Sequence, residues 1–340
     1  MIMVLVSIVC PIYNEEKFIE NCIGSVLKQD YPKSQLEVFF VDGMSKDRTR
    51  EIVLKYTRQY DFIHLLDNPE KIVPPALNKG IQAARGEVVI RIDGHCIYPQ
   101  NYVSTLVDYL FRLKADNVGA MWNTLPARNT STCKAIAIGA SHKFGIGDSL
   151  HKVGVKKVVE TDTVPFGCFK RDVFEKIGMF DNDLIRNQDD EFNARIIKSG
   201  GKIFLIPELV IDYYARDRVS KMAKMFYQYG LFKPLVNKKL GAPATTRQFF
   251  PSLFLCGIIV GGILSCFSNY ILGVYLFVIV LYICLAFYFA TKEAIVRKDW
   301  KLVFLLPCIF FIIHVSYGWG YWEGCYKVLL NKKIIVDINR

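Results

Sequence analysis

Residues 77–96 read LNKGIQAARGEVVIRIDGHC, and this stretch decides the fold. Its first part belongs to a predicted helix over 75–84, with Pro75 at the start and Gly86 just past the end, as is typical of helices. Residues 87–92 form an apolar run of strand length, and Asp93 follows directly. In open α/β sheets the ligand crevice lies beyond the carboxyl ends of the strands, so this order predicts an α/β sheet with Asp93 at its ligand edge.

The same alternation extends through the first 215 residues. Apolar runs predict strands at 5–11, 37–41, 62–66 and 202–207, and helical spacing predicts helices at 18–28, 48–60, 102–113, 172–177 and 189–198. Residues 119–167 are irregular and rich in Gly, Ser and Thr. The pattern therefore predicts one α/β domain over 1–215.

The end of the chain is apolar enough for a membrane. The 44 residues 248–291 contain no Asp, Glu, Lys or Arg, which is about 66 Å of helix, or two crossings of a bilayer core. We predict helices at 249–267 and 270–290, and a third at 302–322 that either crosses or is re-entrant. The alternative is a set of buried core helices. The sequence thus predicts two to three transmembrane helices over 248–322 and a short tail, 323–340.

The net charge of +11 is concentrated beside the apolar region. Residues 1–215 carry 27 basic and 27 acidic residues, whereas residues 216–247 carry eight basic residues against Asp217 alone. Basic residues beside a membrane segment follow the positive-inside pattern and attract anionic lipid. We therefore expect no nucleic-acid partner. Residues 216–247 are expected to be a basic, amphipathic, interfacial segment containing a helix over 219–236, the alternative being a packed core helix.

Several common site types are absent from the sequence. The ten cysteines include no C-x-x-C pair and no zinc-ligand spacing. There is no G-x-x-x-x-G-K-S/T loop, and no G-x-G-x-x-G follows a strand. Kinases, ATPases and dinucleotide-dependent enzymes therefore lose their main support.

Three acidic clusters follow predicted strands or open a helix. They are Asp42 in VDGMSKDRT, Asp93 in IRIDGHC, and the run NQDDEF at 187–192. Each alone has an alternative role in a turn or as a helix cap. Together they suit a hard cation held by Asp93, with an imidazole from His95, beside a separate carboxylate base. An in-line sugar transfer requires that combination.

The quoted residues resemble the family-2 glycosyltransferases with the GT-A fold, over about residues 5–235. The matching segments are VSIVCPIYNEE, VDGMSKDRT, LNKGIQAARGEVVIRIDGH, VPFGCFKRDVFEKIGMFD and NQDDEFNARI. More narrowly, DGH, HKFGIGDS, NQDDEFNAR and HVSYGWGY resemble the membrane-anchored transferases of succinoglycan-type exopolysaccharide assembly. The fold class that the resemblance implies is a GT-A nucleotide-diphospho-sugar transferase domain followed by C-terminal transmembrane helices.

The resemblance also implies roles for individual residues. It assigns the nucleotide-sugar pocket to Pro11, Tyr13, Glu15, Asp42, Asn78 and Asp93. It assigns a divalent cation, Mg²⁺ or Mn²⁺, to Asp93 and His95. It makes Asp189 the candidate base, with Asp190 as a rival one position along and Glu191 as a supporting acid.

Three departures from the family pattern carry information. His95 stands where the family usually has Asp, and Gln188 replaces a Glu. Processive synthases carry QxxRW before the membrane, whereas residues 228–232 here read QYGLF. We therefore expect a non-processive enzyme that adds a single sugar.

Polar residues near the apolar segments leave alternatives open. His314 either contacts a lipid-linked acceptor or makes an interhelical hydrogen bond. The resemblance places His142 and Lys143 on the acceptor side. Gly257 and Gly261 form a G-x-x-x-G spacing that permits close helix contact.

The resulting hypothesis is an inverting, metal-dependent hexosyltransferase at the plasma membrane of a bacterial type, with its catalytic domain in the cytosol. It would move a sugar from a UDP-sugar to a polyprenyl-diphosphate-linked glycan in exopolysaccharide or related cell-surface glycan assembly. The expected partners are the donor, the lipid-linked acceptor, membrane lipid and other glycan-assembly enzymes. Two alternatives are a polyprenyl-phosphate glycosyltransferase and a non-catalytic membrane scaffold of a glycan assembly complex.

Overall fold

Strand pairing in the computed structural model, which describes residues 3–336, produces one mixed sheet. Its strands are β1 (Val6–Ile12), β2 (Leu36–Asp42), β3 (Ile63–Asp67), β4 (Val88–Arg91), β5 (Asn117–Leu125), β6 (Val159–Glu160), β7 (Cys168–Lys170) and β8 (Ile203–Tyr214). The sheet order is β3-β2-β1-β4-β7-β5-β8-β6. The first four strands are parallel, and β7 runs antiparallel to both β4 and β5.

The helices are α1 (Ile19–Leu27), α2 (Thr49–Thr57), α3 (Val73–Ala83), α4 (Tyr102–Arg112), α5 (Ser131–Gly139), α6 (Lys143–Ile146), α7 (Leu150–Val153), α8 (Asp172–Ile177), α9 (Gln188–Lys198), α10 (Val219–Leu240), α11 (Phe250–Ser265), α12 (Asn269–Arg297) and α13 (Leu302–Leu329). The predicted α/β class is confirmed, since strands and helices alternate through the first half as expected.

Burial explains why the parallel strands are almost continuously apolar. Every residue of β1 and of β2 is buried, as expected for strands covered by helices on both faces. Helix α3 packs closely on the sheet, because a Cβ at Gly80 would lie 2.3 Å from Cγ1 of Val9. Gly80, within the stretch that predicted the fold, thus permits the close contact of helix and strand.

The chain divides into two compact units. The first comprises residues 3–123 and 154–213 and contains the core beneath the sheet. The second comprises residues 124–153 and 214–336. The irregular segment at 124–153 thus contributes α5, α6 and α7 to the unit that contains the long apolar helices.

The second unit has its own apolar core. Helices α5, α10, α12 and α13 bury residues against one another, among them Ile136, Met222, Ala290, Leu306 and Phe310. Helices α10 and α13 pack backbone to backbone, since a Cβ at Gly230 would lie 2.1 Å from Tyr317 O and one at Gly320 2.1 Å from Tyr227 O. Close packing at α13 therefore depends on glycines.

Among residues 3–336, three helical segments are long and apolar enough to cross a membrane. They are Thr246–Ser265, Asn269–Arg297 and Leu302–Leu329. The helix predicted over 219–236 extends to Leu240, and the helix predicted over 302–322 extends to Leu329. By length and composition, the C-terminal part of this chain has the helices of a membrane protein.

Candidate functional site

The parallel strands place several predicted site residues at one edge of the sheet. Asp42 is the last residue of β2, Asp93 follows β4 by two positions, and Glu15 follows β1 by three. Strand β1 pairs with β2 on one side and with β4 on the other. The carboxyl ends of these strands therefore bring together residues that are up to 78 positions apart in the sequence.

Glu15, Asp93 and His95 form a compact group of candidate metal ligands. One ligand atom from each lies within 4.8 Å of the others. His95 Nδ1 is 2.6 Å from Asp93 Oδ1 and 3.8 Å from Glu15 Oε1. The backbone N–H of Asp93 donates to Tyr98 Oη at 2.7 Å, which fixes the turn that carries the aspartate.

This donor set fits a divalent cation. Two carboxylates supply the oxygen ligands that hard cations prefer, and one imidazole adds a nitrogen that suits Mn²⁺ better than Mg²⁺. The side chains are shielded without being sealed, since Glu15 is 3% exposed, Asp93 13% and His95 19%. The sequence placed Glu15 in the nucleotide pocket, whereas the structure places its carboxylate beside the two predicted ligands.

Pro11, Tyr13 and Asp42 lie together where β1 and β2 end. Pro11 pairs with Val41 and is buried, and the backbone N–H of Gly43 donates to Ile12 O. Tyr13 lies over Gly43, where an added Cβ would be 3.2 Å from Tyr13 Cδ2. The structure therefore brings together three of the residues that the resemblance assigned to the nucleotide pocket.

The Asp42 carboxylate is buried and held by neighbouring protein groups. Its Oδ1 accepts from Ser45 Oγ at 2.5 Å, and its Oδ2 accepts from Arg50 Nη1 at 3.3 Å. Arg50 also bonds Asp67 at the end of the adjacent strand β3, at 2.5 Å. This Arg50 bridge between two strand ends was not anticipated from the sequence.

Asn78 contacts a different part of the unit. Its Nδ2 donates to Phe180 O at 2.8 Å, and its Oδ1 accepts from the backbone N–H of Phe180 at 3.0 Å. The same Nδ2 donates to Asn182 Oδ1 at 2.9 Å. Asn78 on α3 therefore anchors the segment that leads toward α9.

Helix α9 begins at the acidic run, and its three acids have different partners. Asn187 precedes it with a positive φ of 60°. Asp189 Oδ1 accepts from Arg91 Nη1, and Asp190 Oδ1 accepts from Thr163 Oγ1 at 3.3 Å. Glu191 is buried and accepts two hydrogen bonds from Arg195, which also donates to Ile177 O and Met179 O. Glu191 thus anchors a loop through Arg195.

Asp189 has an environment suited to a base. Burial is the largest influence and raises the pKa of Asp189, and the charges of Asp190 and Asp93 raise it further, while Arg91 opposes the rise. As a result, the pKa of Asp189 lies above the ordinary value for aspartate. A raised pKa increases the affinity of the carboxylate for a proton, as general-base catalysis near neutral pH requires.

Arg91 is the main site residue that the sequence analysis missed. It lies in β4, its side chain is 7% exposed, and its guanidinium lies 5.6 Å from the centre of the Phe166 ring. The available signal was an arginine inside the otherwise apolar strand VVIRI, since buried charges need a partner. The partner could not be identified, because Asp189 is 98 positions away in the sequence.

The polar residues of the second unit are engaged with one another. His314 Nδ1 lies 2.9 Å from Tyr282 Oη, and its Nε2 lies 3.0 Å from Phe144 O. His142 caps α6 by accepting from the backbone N–H of Phe144. These contacts favour the interhelical hydrogen bond over acceptor contact for His314. In the predicted G-x-x-x-G pair, Gly261 faces Tyr275, whereas the space beside Gly257 is open.

Comparison with known proteins identifies similar chains. A family model described as "Glycosyl transferase family 2" matches residues 7–178. The dolichyl N-acetyl-alpha-D-glucosaminyl phosphate 3-beta-D-2,3-diacetamido-2,3-dideoxy-beta-D-glucuronosyltransferase of Methanococcus voltae is 28% identical over 330 residues, covering 95% of this chain and 97% of that protein. The succinoglycan biosynthesis protein ExoA of Rhizobium meliloti is 29% identical over 261 residues, covering 76% of this chain and 77% of its own length.

Solved structures share the fold at lower identity. The mannosyltransferase PcManGT from Pyrobaculum calidifontis, in complex with GDP-Man and Mn²⁺, aligns with a TM-score of 0.57 at 19% identity, over 94% of this chain and 88% of that one. S. aureus TarS 1-349, in complex with UDP-GlcNAc, aligns with a TM-score of 0.51 at 14% identity, over 98% and 94%.

Proposed function

The chain belongs to glycosyl transferase family 2, and on that premise we propose that it transfers a sugar from a UDP-sugar to a polyprenyl-diphosphate-linked glycan, with inversion at the anomeric carbon. The fold is the GT-A type that the sequence predicted. The observation that carries the proposal is the placement of Asp189 near Asp93, at the sheet edge where Glu15, Asp93 and His95 come together.

Asp189 is the proposed base. Its carboxylate accepts the proton of the acceptor hydroxyl while the hydroxyl oxygen attacks the anomeric carbon of the donor. The bond between that carbon and the diphosphate oxygen breaks, and UDP leaves from the opposite face. Arg91 holds one oxygen of Asp189, which fixes the carboxylate for this transfer.

Glu15, Asp93 and His95 are the proposed ligands of a divalent cation. When bound, such a cation neutralises negative charge that develops on the departing diphosphate. Pro11, Tyr13 and Asp42 are proposed to form the neighbouring nucleoside pocket, since they meet at the adjoining strand ends. Asn78 and Glu191 are proposed to support the site through the loops that they anchor.

A lipid-linked acceptor is supported by the names of the relatives, and its diphosphate linkage is part of the proposal. The M. voltae protein is named for a dolichyl-linked sugar, and the R. meliloti protein is named for succinoglycan biosynthesis. A basic segment at 216–247 beside the apolar helices fits a cytosolic catalytic unit at the membrane face. Transfer of a single sugar is supported by Leu231 and Phe232, which stand where the QxxRW motif of processive synthases has its Arg and Trp.

Release of UDP by the purified, detergent-solubilised protein tests this proposal. A panel of UDP-sugars, with GDP-mannose for comparison, is combined with Mn²⁺ or Mg²⁺ and with polyprenyl lipids carrying mono- or diphosphate-linked sugars. We expect release that requires both metal and lipid acceptor. Product analysis distinguishes a lengthened lipid-linked glycan from a glycosyl phosphate, the product of transfer to polyprenyl phosphate itself.

Two matched variants test the base. Asp189→Asn should abolish turnover while the variant still binds the UDP-sugar in a titration, whereas Asp190→Asn should retain turnover. Full turnover of Asp189→Asn would refute its role as base, and loss only in Asp190→Asn would transfer that role to Asp190.

A further inference from the structure

Helix α13 is long and apolar enough to cross a membrane, yet besides α11 and α12 it packs against α5 and α10, which carry charged side chains. It runs from Leu302 to Leu329, and its mean hydropathy reaches 2.0. Length does not distinguish a spanning helix from one that lies along the membrane surface. The charges on the helices packed beside α13 indicate which of these two positions it takes.

Helices α10 and α13 run parallel to each other, and the residues in contact are separated by 87 to 93 positions in the sequence. Gly320 contacts Tyr227, Gly324 contacts Leu231, and Lys238 Nζ donates to Asn331 Oδ1 at 2.8 Å. Each of these pairs is separated by 93 positions in the sequence, and the contact of Gly230 with Tyr317 by 87. The offset allows any residue of α10 to be placed at its level along α13.

The offset puts exposed charge beside the middle of the apolar region 302–322. Lys221 falls at the level of residues 308–314 and Lys224 at the level of residues 311–317. Both lysines are exposed, and Lys221 forms an ion pair with Asp217 at 3.1 Å, so the start of α10 carries several charged side chains. Lysine side chains at the centre of a bilayer are strongly disfavoured unless they reach water or a partner inside the protein. A transmembrane α13 would place the start of α10 at that depth.

The first half of α13 has polar neighbours as well. Ser131 Oγ and Lys134 Nζ of α5 reach Asp299, directly before α13, at 3.2 and 3.7 Å. Phe144 O lies 3.0 Å from His314 Nε2, and the adjacent Lys143 is exposed. An exposed lysine, Lys143, therefore also lies near the middle of α13 on this side.

Helices α11 and α12 differ from α13 in their surroundings. They contact each other at Gly261 and Tyr275, and their other apolar side chains are largely exposed, for example Phe267, Tyr270 and Phe277. The apolar surface of this helical hairpin lies on several faces of both helices. Away from its contacts with α13, such a surface fits lipid, as a membrane-spanning hairpin requires.

We propose that only α11 and α12 cross the membrane, and that α13 lies in the plane of the lipid headgroups with one apolar face toward the acyl chains. That face consists of Phe304, Phe311, Trp319 and Tyr326, which are 43–72% exposed and recur every seven or eight residues. Aromatic side chains in this arrangement are typical of interfacial helices. The proposal concerns the membrane topology and does not depend on the reaction assigned above.

Two crossings also resolve a conflict in the charge distribution. A third crossing would export the tail that bears Lys327, Lys332 and Lys333. With two crossings, these lysines share one side of the membrane with Arg247 and with the loop that contains Lys298 and Lys301. All the basic flanks then follow the positive-inside pattern.

Spin-label depth measurements test the proposal directly. The full chain, with the non-buried cysteines Cys256, Cys266, Cys284, Cys308 and Cys325 changed to serine, is reconstituted into phosphatidylethanolamine–phosphatidylglycerol vesicles. Single labels are placed by Phe304→Cys, Phe311→Cys, Trp319→Cys and Tyr326→Cys, and depth is read from collision with oxygen against a water-soluble nickel complex. Leu272→Cys, Val280→Cys and Tyr288→Cys on α12 serve as the matched spanning control.

The two topologies give different depth profiles. We expect one shallow depth at all four α13 positions, while the α12 positions pass through the bilayer centre. The labels on α13 extend over about 33 Å of helix axis, so a spanning helix would place its middle labels deepest and its outer labels at opposite surfaces. That profile would overturn the proposal.

An independent measurement counts the crossings. In intact bacterial cells carrying the same cysteine replacements, a membrane-impermeant maleimide should label Ser268→Cys, in the turn between α11 and α12. It should label Lys298→Cys and Lys332→Cys only after permeabilisation. Labelling of Lys332→Cys in intact cells, alongside Ser268→Cys, would establish a third crossing and refute the proposal.

Discussion

Arg91 Nη1 donates a hydrogen bond to Asp189 Oδ1, joining strand β4 to the first turn of helix α9. Burial of Asp189 and the charge of Arg91 have opposite effects on the pKa of this proposed base. Burial raises the pKa of Asp189, and the positive charge of Arg91 limits that rise. The pair therefore couples the position of the carboxylate to the pH at which it ionises.

Replacing Arg91 should shift the pH dependence of turnover. In Arg91→Met the opposing charge is lost, so the pKa of Asp189 should rise further and the acid limb of the kcat profile should move up by about 1–2 pH units. The acid limb shifts upward because the base must be ionised to act, and a base with a higher pKa becomes ionised only at a higher pH. UDP release measured between pH 4.5 and 8.5 gives the profile.

Arg91→Lys is the matched control, since it retains the charge but loses the planar guanidinium. Its acid limb should stay near that of the wild type even if its kcat falls. An unshifted limb in Arg91→Met, with a lower kcat in both variants, would show that Arg91 only positions the carboxylate.

The third ligand position should determine the metal preference. His95→Ala should raise the Mn²⁺ concentration for half-maximal activity by about tenfold or more, because even the loss of a group that supports a ligand typically costs that much. His95→Asp should recover activity and shift the preference toward Mg²⁺, since an oxygen ligand replaces a nitrogen. UDP release is measured as a function of Mn²⁺ and of Mg²⁺ concentration, which gives the metal preference. Electron paramagnetic resonance measures the binding of Mn²⁺ independently of activity.

An unchanged Mn²⁺ affinity in His95→Ala would remove His95 from the ligand set. Glu15→Gln then becomes informative, because its carboxylate lies in the same group of ligand atoms. Loss of Mn²⁺ affinity in Glu15→Gln alone would leave Glu15 and Asp93 as the ligands.

The parallel half of the sheet could be predicted because its signals are local. Buried apolar runs followed by Asp42 and Asp93 define β2, β4 and their ligand edge without any knowledge of distant contacts. Pro11, Tyr13 and Asp42 were predicted together, and strand register places them together.

What could not be predicted depends on register and packing between distant segments. Glu15 joins Asp93 and His95 only because β1 pairs with β4, and Arg91 meets Asp189 only after α9 has been placed. Which glycines make close helix contacts also could not be predicted from local sequence. Gly257 and Gly261 have a familiar spacing, yet Gly230 and Gly320 make the tightest helix contacts, and no local pattern distinguishes the two pairs.

Glu37 should be a major contributor to the stability of the sheet. Its buried carboxylate accepts from Ser7 Oγ at 2.7 Å, from the backbone N–H of Arg85 at 2.5 Å and from that of Gly86 at 3.2 Å. Glu37→Gln replaces one acceptor oxygen with a donor, so it should cost about 1–3 kcal/mol of folding free energy. The melting temperature in detergent should fall by roughly 2–4 °C for each kcal/mol.

The effect of Glu37→Gln should depend on pH. Burial alone would raise the pKa of Glu37, but hydrogen bonds from Arg85 and Ser7 outweigh burial and lower it. A lowered carboxyl pKa stabilises the fold above the unfolded value of about 4.3 and loses that contribution as the pH falls below it. The difference in melting temperature between Glu37→Gln and the wild type should therefore become smaller at acidic pH. Glu87→Gln, an exposed change beside the same turn, should have no effect at either pH.

Gly320 and Gly257 offer a matched test of which glycines hold the apolar helices together. Gly320→Ala would place a Cβ 2.1 Å from Tyr227 O, so α10 and α13 must separate, at a cost of about 1–3 kcal/mol. Gly257→Ala meets no atom within 4 Å and adds helix propensity of up to about 1 kcal/mol. Thermal unfolding in detergent should show a clear fall in melting temperature for Gly320→Ala and an equal or higher value for Gly257→Ala. Equal stability of Gly320→Ala and wild type would mean that the α10–α13 contact is looser in solution, and a loss confined to Gly257→Ala would restore the G-x-x-x-G pair as the packing site.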